Sequence, residues 1–260
     1  MTDTAKDWSP GAYDRFRDVR LRPALDLLAR LARPEGPVVD LGCGSGAAGP
    51  ALRALAGQAR LTGLDSSPAM LAKAEATGAY DALEQADIAL WQPEVPPALI
   101  FSNAALHWLG GHATLLPRLA GLLAPGGTLA VQVPHQNNAP SHRIWHSLVE
   151  EHFPGRFDPA TAPGIERPAT YHAMLSPLGQ LDLWEVDYYQ VLPKAEEGHP
   201  VRLFTQSTFA RPVLDSLPED EQAQLVALYD EVIEAAYPRS ADGSVLFPFR
   251  RLFFTLRPRA

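Results

Sequence analysis

The chain has 260 residues, 46% of them hydrophobic, with 22 Lys and Arg against 30 Asp and Glu and a formal charge of -8. At roughly 100–200 residues per domain, this is one large domain or a core with a smaller cap. The single cysteine excludes an internal disulfide framework or a cysteine metal cage, and points to a reducing compartment. Polar Met1–Pro10 does not read as a signal peptide, and no run of about 18 apolar residues is present to span a membrane. The acidic balance argues against nucleic acid as a partner. A cytoplasmic protein with a small-molecule ligand fits these bounds, and oligomeric state is not readable from them.

In chain order, the first half alternates strands and helices. Arg20 and Arg22 open an amphipathic helix that carries Leu21, Leu25 and Leu28. Val38-Val39-Asp40-Leu41 is a strand ended by Gly42, and Arg60-Leu61-Thr62-Gly63-Leu64 a second, ended by Asp65. Ala98–Phe101 and Thr128–Val133 are two further strands. Helices are expected over Ala47–Ala56, Pro68–Ala76 and His112–Leu123, the last with Leu115, Leu116, Leu119, Leu122 and Leu123 on one face. Strands separated by helices of about 10–15 residues imply right-handed crossovers and a mostly parallel sheet. This half reads as a Rossmann-like, doubly wound α/β core.

After Val133 the texture changes. Pro134–Gly164 is rich in proline, asparagine and histidine around a helix-like piece, Ser141–His152. A strand returns at Leu181–Leu192, then a helical block over Glu196–Tyr237. Ser216-Leu217-Pro218-Glu219 reads as a capping box that starts a helix with an apolar stripe of Leu225, Leu228, Tyr229, Val232, Ile233 and Ala236. Its acids, among them Asp230, Glu231 and Glu234, read as a solvated face. Leu246–Leu256 is a last, aromatic-rich strand, and we read it with Leu181–Leu192 as a late antiparallel pair rejoining the sheet. The expected division is a core of 1–134, 178–194 and 245–260, and a helical substrate cap of 135–177 and 195–244.

The sharpest motif is Val38-Val39-Asp40-Leu41-Gly42-Cys43-Gly44-Ser45-Gly46. A strand delivers an acid and then a turn of glycines, where backbone can approach a ligand closely. Asp65 ends the next strand, placed to accept from a ribose diol, and Asp87 follows a third strand, placed to accept from an adenine amino group. Two cofactors compete for this site. Gly44-Ser45-Gly46-Ala47-Ala48-Gly49 matches the G-x-G-x-x-G pattern of a nicotinamide dinucleotide site, with Asp65 about 20 residues further on. That match leaves Asp40 beside the loop, where a pyrophosphate would be repelled. S-adenosylmethionine, with an ammonium and no phosphate, suits Asp40 better. Cys43 is a small residue in the turn.

The order D-L-G-C-G-S-G resembles the glycine loop of the Rossmann-like methyltransferases. Asp7-Trp8-Ser9-Pro10 with Tyr13, Gly63-Leu64-Asp65-Ser66-Ser67-Pro68-Ala69-Met70 and Ala86-Asp87-Ile88 resemble the trans-aconitate 2-methyltransferases. So do Trp91-Gln92-Pro93-Glu94, Ser102-Asn103-Ala104-Ala105-Leu106-His107-Trp108-Leu109, Tyr188-Tyr189 and Phe249 with Arg251-Leu252-Phe253. Asn137-Asn138-Ala139-Pro140 and Ala210-Arg211-Pro212-Val213 depart from the family pattern. The resemblance implies methyl transfer from S-adenosylmethionine to one carboxylate of trans-aconitate. The products would be a monomethyl ester and S-adenosylhomocysteine, made by a soluble cytoplasmic enzyme without a metal. It also implies that Ser66, Met70 and Ile88 line the cofactor site, and that Arg20 pairs with the cofactor's methionine carboxylate.

A carboxylic acid with a pKa near 4 is already an anionic nucleophile at pH 7, so no dedicated general base is expected. Arg, His and Tyr should bind the substrate's carboxylates. Arg211 sits among apolar neighbours in the cap, and Arg22 lies in the N-terminal arm. Tyr188 and Tyr189 point to opposite faces of their strand, so one of them can face a pocket. His142 and His146 are four residues apart with no third metal ligand, which leaves His142 as a carboxylate ligand or a surface residue. Asn103 offers its backbone carbonyl to the cofactor's ammonium. His107 and Trp108 stand at the reaction face or support it, and Trp8 and Tyr13 are either a lid over the cofactor or ordinary packing. Three alternatives stay open: methylation of a malonyl group on an acyl carrier protein, an NAD-linked oxidoreductase, and a non-enzymatic protein that binds S-adenosylmethionine.

Overall fold

Val38–Leu41 form β1, and all four residues are buried, as in a strand covered on both faces at the middle of a sheet. The computed structural model describes residues 17–159, 164–207 and 209–259, with side chains from residue 21 onward. β1 pairs in parallel with β2 (Leu61–Asp65) and β4 (Leu99–Asn103), with Val38 beside Leu61 on one side and Leu99 on the other. β3 (Ala82–Gln85) adds to β2, and β5 (Thr128–Pro134) to β4, both in parallel. β6 (Gly179–Leu192) and β7 (Val245–Pro258) complete seven strands in the order β3-β2-β1-β4-β5-β7-β6. The last two strands run antiparallel: Arg259 N–H donates to Leu178 O at one end, and Arg250 pairs with Asp187 further along. Helices α1 (Arg17–Leu28), α2 (Gly49–Ala56), α3 (Pro68–Glu75) and α4 (His112–Gly121) alternate with the parallel strands. This is the mostly parallel, doubly wound sheet with a late antiparallel pair expected from the sequence.

The described residues divide into two compact units: 17–133, 164–185 and 252–259 in one, 134–159 and 186–251 in the other. The boundaries differ from the expected ones in two places: 164–177, expected in the cap, fall in the first unit, and 186–194 with 245–251, expected in the core, fall in the second. The helix within 164–177, α6 (Pro168–Leu175), follows α5 (Pro140–His152) in the chain and buries Tyr171 and Leu175 in the same cluster as Ile100, Leu119, Leu129 and Phe254. Tyr171 Oη lies 2.6 Å from Nδ1 of buried His112, whose Nε2 lies 2.9 Å from Leu106 O, so one imidazole ties α4 to α6. In α1, Pro23, Ala24, Leu27 and Leu28 are buried, whereas Leu25, expected on the apolar face, is exposed. α4 buries Leu115, Leu116 and Leu119, and Leu122 and Leu123 are only partly covered beyond its end.

The second unit is helical around α5, α7 (Pro200–Gln206), α8 (Arg211–Asp215) and α9 (Glu219–Ala236). Its centre is Trp145 stacked on Tyr229 at 4.0 Å between centroids, with Trp145 Nε1 donating to Thr205 Oγ1 and Tyr229 Oη to Ser141 O. The capping box does not form. Ser216 Oγ donates to Val213 O, closing α8, and no side chain caps α9, whose preceding residue is Pro218. The α9 stripe is narrower than expected: Leu225, Tyr229 and Ile233 are buried, while Val232 and Ala236 face outward. Nor are its acids only a solvated face. Asp230 takes Arg202 at 2.8 Å, Glu221 takes Arg156 at 2.8 Å, and Glu234 takes Arg239 at 2.8 Å.

Candidate active site

The glycine loop starts where β1 ends. Gly42 N–H and Cys43 N–H both donate to Leu64 O, at 2.8 and 2.9 Å, which fastens the loop to the tip of β2. Gly42 and Gly44 take left-handed φ values of 77° and 55°. Asp65 secures the other side of the loop: Oδ2 accepts from Gly44 N–H at 2.8 Å and Oδ1 from Ser67 N–H at 2.9 Å. Ser67 Oγ in turn caps α3 by accepting from Met70 N–H. A carboxylate offers about four acceptor positions, so Asp65 keeps capacity for a ligand diol.

Asp40 is buried beneath this loop, and Tyr80 Oη donates to its Oδ2 at 2.6 Å. Burial pushes its carboxyl up to about 7, the Tyr80 hydrogen bond pulls it back, and the charge on Asp65 adds to the rise. The same burial, with Asp40 and Asp65 close by, pushes the Cys43 thiol well above its ordinary range, so it is held as an inert thiol. β4 ends at Asn103, and Ala104 follows at φ 52°, its N–H donating to Gln132 O at 2.9 Å.

These segments meet around one cavity in the first unit. Of the residues expected to hold a cofactor, Asp40, Gly42, Gly44, Asp65, Ser66, Met70, Asp87, Ile88 and Asn103 line it. Trp108, expected to touch substrate, lines it as well and is 40% exposed. Gly46 does not line it. A Cβ there would press on the Ala74 backbone at 2.9 Å, so this glycine serves close packing of the loop on α3. His107 is buried behind the wall with its ring 4.5 Å from Trp108, and Arg22 is exposed on α1. Trp8 and Tyr13 lie outside the described residues, as does the side chain of Arg20. Sequence reasoning missed Tyr80, whose hydroxyl meets Asp40 from 40 residues away, and Ala104 and Ala105, which complete the wall.

The remaining substrate candidates belong to the second unit. Tyr188 is buried and Tyr189 exposed, so of that pair only Tyr188 faces inward. The Arg211 side chain is 30% exposed and pairs with Asp215 at 3.5 Å. His142 is buried with Nδ1 2.9 Å from Ser141 Oγ, and both it and His146 pack on Phe209 at centroid distances of 4.0 and 5.2 Å. Burial first, then the nearby His146 and Arg251, hold His142 down to about 3, so it stands as an uncharged imidazole at neutral pH. It therefore offers a hydrogen bond and not a charge. Arg251, not singled out for the site beforehand, is buried with its guanidinium 4.1 Å over the Phe249 ring.

The cavity residues fit S-adenosylmethionine. At Gly44 the space a Cβ would take is open for 4 Å, the carboxylates of Asp40, Asp65 and Asp87 line the cavity, and no cation is among its described lining residues to favour a pyrophosphate. Residues 13–164 match a family described as a methyltransferase domain. Trans-aconitate 2-methyltransferases from Methylobacterium nodulans and Methylobacterium radiotolerans are 45% and 41% identical, each over 96% of this chain and 98% of the relative. Among solved structures, the YcgJ protein from Bacillus subtilis aligns with a TM-score of 0.59 at 16% identity, covering 91% of this chain and 97% of its own. A Haemonchus contortus phosphoethanolamine N-methyltransferase 2 in complex with S-adenosyl-L-methionine aligns with a TM-score of 0.52 at 14% identity, over 92% of this chain and 53% of its own. The structural likenesses establish the fold, and the sequence likeness runs nearly end to end. By that likeness the chain belongs to the trans-aconitate 2-methyltransferase family.

Proposed function

We propose that the protein methylates one carboxylate of trans-aconitate, or of a closely similar tricarboxylate, to a monomethyl ester. The observation that carries this reading is identity of 45% sustained over 96% of the chain, which takes in both units and not only the cofactor-binding half. S-adenosylmethionine, when bound, supplies a methyl group activated on a sulfonium sulfur. Asp65 accepts from the ribose diol, Asp87 from the adenine amino group, and Asp40 with the Asn103 carbonyl faces the ammonium. The reacting carboxylate oxygen uses its own lone pair to form the new C–O bond as the C–S bond breaks, and the electron pair leaves on sulfur. No proton moves, so the protein's task is alignment at about 3 Å in a site closed to water.

The test uses purified protein, radiolabelled S-adenosylmethionine and a panel of di- and tricarboxylic acids, read out as base-labile methyl esters. Labelled ester from trans-aconitate is the expected result, and its absence there and from aconitate isomers would sink the reading.

Asp40 makes a separate prediction about pH. Its folded carboxyl keeps its proton to about 7 against 3.8 for an ordinary one, so the unfolded chain ionises first as pH rises. Stability from this group is therefore full at low pH and declines between those two values. Cofactor binding runs the other way, because the ammonium favours ionised Asp40. Affinity for S-adenosylmethionine should rise from pH 5.5 to 7.5, by about tenfold per unit at most. Asp40→Asn should flatten that rise and melt no lower than wild type at pH 8. Calorimetric titration across pH, with thermal melts, checks both; a rise that persists in Asp40→Asn removes this residue as its source.

A further inference from the structure

One polar side chain of the first unit is used by none of the roles above. Gln132, in β5, is completely buried, and among the described residues neither its amide nitrogen nor its amide oxygen has a hydrogen-bond partner. An amide left unpaired at both ends in a dry site burdens folding, and an apolar side chain of similar volume would avoid that cost. An orphan of this kind marks a place for a ligand.

Its register says which ligand site it serves. β4 and β5 run in parallel with Asn103 beside Gln132. Their side chains leave the same face of the sheet from backbones roughly 4.8 Å apart. Asn103 lines the cofactor cavity, Gln132 stands beside it one strand outside that lining, and Asn103 Oδ1 is also buried without a partner among the described residues. Between them, the Gln132 carbonyl holds the N–H of Ala104, the one non-glycine residue among the described residues with a positive φ. Unfavourable backbone of that sort persists where the surroundings enforce it, commonly at functional sites.

We propose that the paired amides of Gln132 and Asn103 are an uncharged clamp for the carboxylate that receives the methyl group. The proposal rests on the reading of the protein as a carboxyl methyltransferase. Gln132 Nε2 donates to the carboxylate from β5, and Asn103 Nδ2 from β4. An arginine in this place would bind the carboxylate more tightly but would draw charge from the oxygen that must attack. A neutral amide fixes its direction and leaves it anionic, and burial keeps water from competing for the donors.

Gln132→Leu keeps the volume and removes the amide. Trans-aconitate binding, measured by calorimetry on protein saturated with S-adenosylhomocysteine, should weaken about 10- to 100-fold, with KM rising in step. Affinity for S-adenosylhomocysteine should stay within about twofold, and the melting temperature should not fall, because an orphaned polar group has gone. Gln132→Glu, which sets one anion against another, should bind trans-aconitate more weakly than Gln132→Leu. If the leucine variant does not fold, Gln132→Met carries the same expectation. Unchanged trans-aconitate affinity in the apolar variant overturns the clamp while leaving the functional reading intact. A wild-type protein that binds and esterifies no tricarboxylate overturns that reading and the clamp with it.

Discussion

Asp65→Ala is expected to weaken S-adenosylmethionine binding by at least about 100-fold. A hydrogen bond to a charged group contributes roughly 1.5–3 kcal/mol, and a ribose diol makes two of them. The structure adds a second loss. Without the carboxylate, Gly44 N–H and Ser67 N–H lose their acceptors, so the glycine loop and the start of α3 both loosen. Asp65→Asn retains an acceptor at one oxygen and should fall between alanine and wild type. Titration calorimetry measures the affinities, and a denaturant melt separates the loop's contribution to stability from the diol's. Wild-type affinity in the alanine variant would place the ribose elsewhere.

Gly42→Ala and Gly44→Ala should fail in different ways. At Gly42 a methyl group would overlap Ala105 Cβ and touch Ile88, and the residue is anchored by its N–H on Leu64 O, so it cannot retreat. Overpacking and a left-handed φ together cost about 2–5 kcal/mol, roughly 5–20 °C in melting temperature for a chain of this size. At Gly44 the added methyl would meet no atom within 4 Å. The variant should lose only about 1–2 kcal/mol from its backbone conformation. Its methyl instead takes up room where the loop faces the cavity, and cofactor affinity should fall by at least about tenfold. Melts and calorimetry on the two proteins check the contrast, and a Gly44→Ala protein that binds like wild type would move the cofactor away from this turn.

Four of the parallel strands, β1, β2, β4 and β5, are legible in the sequence because their burial forces short β-branched or leucine-rich runs, and β1 occupies the four residues the pattern marks, whereas β3 has no buried residue to mark it. Asp40, Asp65 and the glycines are legible for a different reason. An acid ahead of a glycine turn and another at the next strand end are local patterns, and the sheet brings local patterns at strand ends together. α6 is not legible, since eight residues with only Tyr171 and Leu175 buried give no repeat to read. Ser216 shows the limit of a motif: its hydroxyl can close the helix before it as well as open the one after, and here it does the former. Gln132 and Tyr80 carry no signal at all. A lone glutamine in a strand, or a tyrosine before one, acquires meaning only when register sets it beside Asn103 or Asp40.

The placement of β7 between β5 and β6 has a consequence for how the chain is made. β6 is the outer strand, and among the described residues its one neighbour in the sheet is β7, which follows it in the chain by all of α7, α8 and α9. During synthesis β6 therefore leaves the ribosome with no strand to pair with and must wait for β7, so the far end of the sheet assembles last. A waiting strand of 14 residues is an invitation to stray pairing with another chain. Asp182, Glu185 and Asp187, each exposed along its length, supply the charge that discourages it.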